Sequence, residues 1–134
     1  MEHAYRLIIS EFCTLVQHPD VDGACNEGSF EVEGVTFAFA CRETLDAEAF
    51  LLIADVGTIT DESSGACHQL LTRSLSDMLA RGGCFTISSA SGAVLHMQRF
   101  PIRQTTPQKL VEQLQITLGL VRHARESILS IERV

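Results

Sequence analysis

Hydrophobic positions recur at helical spacing from Glu2 to Val16: Tyr5, Ile8, Ile9, Phe12 and Val16 share one face, while Glu2, Arg6, Ser10 and Glu11 lie elsewhere. Leu7 falls nearly opposite the apolar face. The stretch His18-Pro19-Asp20-Val21-Asp22-Gly23 carries turn chemistry and predicts a break. From Ser29 the period becomes two. Phe30 and Val32 alternate with Glu31 and Glu33, a strand with one wet face. Gly34 marks a tight turn, and Val35, Phe37, Phe39 and Cys41 alternate with Thr36, Ala38 and Ala40 in a second strand. A third run, Ala49 to Ala54, is apolar on both faces, as expected of a central strand covered on both sides.

Helical spacing returns from Asp61 to Ala80. Cys67, Leu70, Leu71, Leu75, Met78 and Leu79 cover about half the wheel, wider than the ~100° stripe a surface helix needs to reach its own core. Such a helix is expected to touch a second partner besides its own sheet. Gly82-Gly83 stops it. Two strand-like runs, Cys84 to Ser88 and Val94 to Phe100, flank the polar tip Ser89-Ala90-Ser91-Gly92 and predict a hairpin. Thr105-Thr106-Pro107-Gln108 then opens a last helix, with Thr105 as the expected cap and Leu110, Leu114, Leu118, Val121 and Ile128 on its main face.

Composition narrows the function. A chain of 134 residues is one domain, 1–134, by length, with 46% hydrophobic content sufficient for a core. Ten basic against 17 acidic residues give a formal charge of −7, which disfavours phosphate backbones and anionic membrane surfaces and keeps an apolar surface in solution. No apolar run approaches the roughly 20 residues of a membrane span. Met1-Glu2-His3 lacks a basic leader, so the cytoplasm is the expected compartment.

The candidate chemistry is sparse. Cys13, Cys25, Cys41, Cys67 and Cys84 are an odd, irregularly spaced set without Cys-x-x-Cys, which reads as reduced, mostly buried small hydrophobes. His68 beside Cys67 points about 100° away on a helix and does not form a nucleophile–base pair with it. Cys84 and His96 lie on the two strands of one hairpin, which leaves a cysteine hydrolase as an alternative. His18, Asp20 and Asp22 alternate like hard-cation ligands, but Gly23 comes too early for a calcium loop and the closing Glu is missing. No metal, cofactor or catalytic residue is expected, and a binding module is the default.

The order of elements carries a resemblance. Tyr5-x-Leu-Ile-x-x-x-Phe-Cys, Leu70-Leu71, the segment from Gly82-Gly83 through Val94-Leu95 into Phe100-Pro101-Ile102, Pro-Gln-Lys-Leu at 107–110 and Ala124-Arg125-Glu126 together resemble the class I type III secretion chaperones, the Tir-chaperone-like (CesT) family. The family often has Asn shortly after its Leu-Leu pair, where this chain has Ser74.

The resemblance implies an α+β fold, a twisted five-stranded antiparallel sheet with three helices in the order α-β-β-β-α-β-β-α, assembled as a homodimer. It implies an ATP-independent, non-enzymatic chaperone that holds the N-terminal region of a secreted effector extended and soluble; some members also present the effector to the export ATPase. The dimer interface is expected at Leu71, Leu75, Met78, Leu79, Phe85 and Ile87. Client contacts are expected at Leu7, Phe30, Val32 and Phe37, beside an edge strand at Phe30 to Glu33. The competing reading is a small dimeric scaffold or regulator of another α+β family, roadblock-like in its helix-then-hairpin order.

Overall fold

A computed structural model describes residues 2–41, 48–58, 64–88 and 90–127. The elements follow in the order α1 (Glu2–Val16), α2 (Val21–Cys25), β1 (Phe30–Val32), β2 (Val35–Ala40), β3 (Ala49–Thr58), α3 (Ser64–Arg81), β4 (Gly83–Ile87), β5 (Ala93–Pro101), a 3-10 turn (Ile102–Gln104) and α4 (Pro107–Ser127). All strand pairs are antiparallel, in the order β1-β2-β3-β5-β4. The expected α+β order holds, with α3 and α4 as the second and third long helices. The addition is α2. It forms because Asp20 caps it, accepting from the Gly23 N–H at 2.9 Å, while Asp22 pairs with Arg6 at 2.6 Å. The acidic residues of the expected turn are therefore capping and pairing groups.

Register puts Val35, Phe37 and Phe39, then Phe50, Leu52, Ala54 and Val56, then Val94, His96, Gln98 and Phe100 on one sheet face, and all are buried. Tyr5, Ile8, Ile9, Phe12 and Cys13 of α1 and Leu110, Leu114, Leu118 and Val121 of α4 complete this core. Its aromatic centre is edge-to-face, with the rings of Phe12 and Phe39 5.2 Å apart at 87°. The other face of β3 differs from expectation: Leu51 and Ile53 are half-buried, so β3 is central in the sheet but fully covered on one face only. Ile128, expected on the last helix, lies outside the described residues, as do 61–63 of the expected second helix.

Two turns set the edges. Glu33 (φ 49) and Gly34 (φ 85) form a two-residue turn between the paired Val32 and Val35, and positive φ at both positions is the primed geometry that matches strand twist. In β3 the register shifts between Asp55 and Gly57, a bulge that frees backbone carbonyls from the ladder. Arg125 of α4 takes them: it donates to the carbonyls of Val56 (2.7 Å), Asp55 (2.9 Å) and Gly34 (3.0 Å). One side chain thus ties α4 to the bulge and to the β1–β2 turn. The cap of α4 sits one residue later than expected. Thr106 accepts from the Lys109 N–H at 3.1 Å with Pro107 in the first helical position, and Thr105 donates instead to Pro101.

Candidate interaction surfaces

The helix α3 is built inside out along its second half. Ala66 and Leu70 are buried, but beyond them the inward residues are polar: Ser74, Asp77 and Arg81. Outward stand Leu71, Leu75, Met78 and Leu79, exposed at 69%, 64%, 50% and 80%. A surface helix ordinarily presents the reverse. Ile87 at the end of β4 is also exposed. Phe85 is not. It is 7% exposed and stands edge-on to His96 at 5.1 Å, so its burial belongs to the monomer core.

Buried hydrogen bonds hold the polar side of α3 inward. Ser74 accepts from the Phe85 N–H at 2.8 Å, anchoring the edge strand β4. Asp77 receives Arg81 Nε at 2.8 Å on one oxygen and His96 Nε2 at 2.6 Å on the other. Arg81 Nη1 continues to Gln98 at 3.2 Å and to Gln113 of α4 at 2.9 Å, and Gln98 also donates to Gln113 at 3.0 Å. Gly83 has to be glycine here, since a Cβ would fall 2.3 Å from the Asp77 carboxylate. Burial alone would raise the Asp77 carboxyl, but hydrogen bonds from Arg81 and His96 hold it below the usual range. Burial pushes the His96 imidazole down despite the Asp77 contact. His96 is therefore neutral at pH 7, with its proton on Nε2.

The hydrolase alternative fails on geometry. Cys84 pairs with Met97 and Phe85 with His96, so Cys84 and His96 side chains project from opposite faces of the sheet. None of the five thiols is in a disulfide. Cys13 and Cys25 are buried, which raises both, while Cys41, Cys67 and Cys84 are half-buried, so the expectation that most are buried holds for two. Among the described residues no three metal-binding side chains come together, and no helix is long and apolar enough to cross a membrane.

A second surface lies at the opposite edge of the sheet. Beside β1 a cavity of about 270 Å³ is lined by Val16, Gln17, His18, Phe30, Glu31 and Val32. A left-handed Gln17 (φ 59) ends α1, with His18 N–H bonded to Cys13 at 2.9 Å, and this carries the His18 ring to 5.5 Å from Phe30. Because Val32 and Val35 close a two-residue hairpin and exchange hydrogen bonds, the backbone N–H and C=O of Glu31 point to the free edge.

The structure thus brings together Phe30 and Val32 of the expected client contacts and adds Val16, Gln17, His18 and Glu31. Leu7 is 53% exposed on α1 but does not line the cavity. Phe37 has no exposed surface: the pleat turns it into the core, against Phe30 at 5.9 Å, and it supports the cavity wall without facing a ligand. The position of Gln17 and His18 was not legible in the sequence, because αL geometry at a glutamine leaves no residue-type signal.

A comparison with curated proteins finds no match. Solved structures of the same fold include "Structure of the HopA1-SchA Chaperone-Effector Complex", with TM-score 0.72 and 18% identity, covering 94% of this chain and 96% of that one. "Crystal Structure of the ExsC-ExsE Complex" gives TM-score 0.69 and 20% identity, covering 92% of each chain. The Yersinia Pestis type III secretion chaperone SycH, in complex with a stable fragment of YscM2, gives TM-score 0.56 and 14% identity over 90% of this chain and 98% of that one. At these identities the likeness establishes the fold. The sequence itself matches a family across residues 29–125, from just before β1 to the Arg125 clamp: the chain belongs to the Tir chaperone protein (CesT) family.

Proposed function

We propose that this chain is an ATP-independent, non-enzymatic chaperone of type III secretion, acting in the bacterial cytoplasm as a homodimer that holds the N-terminal region of a secreted effector extended and soluble. The observation that carries the proposal is the apolar outer face of α3 on a chain of this family. Leu71, Leu75 and Leu79 recur every fourth residue on the solvent side of a helix whose inner side is polar, so the helix is built to be covered by another surface. Pairing of two such helices, with Met78 and Ile87 at the margins, supports the dimer.

The free edge of β1 and its cavity support extended recognition. Main-chain hydrogen bonds at Glu31 offer sequence-tolerant affinity, and the space bounded by Val16, Phe30 and Val32 accepts an apolar anchor. A net charge of −7 helps keep such a complex in solution. The test is co-purification of the tagged protein from its native host and mapping of the polypeptide that co-elutes. A secreted protein bound through its N-terminal region is expected. Recovery of only folded, non-secreted partners would overturn the proposal.

A further inference from the structure

The positive charge of this acidic chain is unevenly placed. Between the C-terminal end of α3, the end of β5 and the first turns of α4 lies a cavity of about 250 Å³ whose polar lining is Arg81, Gln98, Arg99, Thr105, Lys109 and Gln113. Three of the ten Lys and Arg residues border it, including the chain's sole lysine, and among the described residues no Asp or Glu does. Its neutral polar groups are already committed: Thr105 donates to Pro101, and Gln98 to Gln113 and to the Arg81 carbonyl. Arg81 Nη2 is buried and has no hydrogen-bond partner among the described residues. The cavity therefore has donors in excess of acceptors. The positive end of the α4 dipole lies beside it, between Thr105 and Lys109.

We infer that this cavity is a carboxylate pocket that takes an acidic side chain of the extended client. The inference rests on the chaperone reading for the source of the carboxylate, but the chemistry of the pocket does not. Asp77 offsets the Arg81 charge and Arg99 is already engaged, which leaves Lys109 as the unbalanced cation of the lining among the described residues. That balance matches a singly charged carboxylate better than a doubly charged phosphate. The volume also falls below the roughly 300–1,000 Å³ typical of small-molecule sites and suits one side chain.

The test is an NMR titration of the full chain with N-acetyl-glutamate amide, N-acetyl-glutamine amide, glutarate and inorganic phosphate. Saturable shifts at the amides of Arg81, Gln98, Lys109 and Gln113 are expected with the blocked glutamate and not with the blocked glutamine. Lys109 is exposed on the first turn of α4, so Lys109→Gln should fold and weaken binding by about fivefold or more, and Lys109→Arg should restore it. Equal shifts with the glutamine analogue, or affinity unchanged in Lys109→Gln, would overturn the pocket. Tighter binding of glutarate or phosphate than of blocked glutamate would assign it to a free anion and overturn the client source. None of these probes contains a client, so failure here is distinct from failure to recover a secreted partner.

Discussion

His96 on β5 donates its Nε2 proton to Asp77 on α3 across 2.6 Å, in a site where the histidine has no exposed surface. This bond and the Asp77–Arg81 pair turn the polar side of α3 inward, and the leucines outward follow from that. The exposed apolar face and the buried network are two faces of one helix.

Acid should loosen this arrangement. The His96 pKa is lowered in the fold, so below about pH 6.5 the unfolded chain binds a proton that the native chain does not, and stability falls as pH drops toward the lowered value. Asp77, held below its usual range, loses its contribution only as pH falls below about 4. Thermal midpoints measured from pH 7 to 5 should decline in the wild type. A flatter slope in His96→Gln is expected, and an identical slope would show that the histidine is not the source.

Leu75→Asp should halve the mass seen by light scattering at micromolar concentration while the circular dichroism of the fold persists. Leu75 is 64% exposed in the single chain, so the charge spoils an interface and leaves the monomer core alone. A stable interface buries on the order of 1,600 Å². A wild-type protein that scatters as a monomer would sink the dimer.

Arg125→Ala should destabilise the fold by about 1–3 kcal/mol, because the bulge carbonyls of Asp55 and Val56 lose a charged donor. Urea denaturation measures it. A loss under about 0.5 kcal/mol would mean that water replaces the guanidinium without penalty.

Client binding separates the two surfaces of the N-terminal half. Val32→Glu, at the β1 cavity, should weaken an extended client peptide at least tenfold by calorimetry, roughly 1.4 kcal/mol. Leu7→Glu, exposed but outside the cavity, tests whether the client also crosses α1. Hydrogen exchange on client binding should protect residues 2–16 and 29–41. Protection confined to α4 would place the client on another surface.

Periodicity alone determined most of the architecture. The alternation from Phe30 to Cys41, the apolar run at Ala49 to Ala54 and the Ser/Gly tip between Ile87 and Val94 mark strands because side-chain direction in a strand is a local property. The breadth of the α3 stripe was equally legible. Tertiary structure decided which half of that stripe faces out. Asp77 and Arg81 point inward only because His96, Gln98 and Gln113 wait there, on elements distant in sequence, and a buried charge is stable only where such partners converge. The same holds for Phe37 and Phe85. They were expected at a client contact and a dimer interface, but sheet register packs Phe37 against Phe30 and stands Phe85 on His96, and register depends on pairings that no single segment contains.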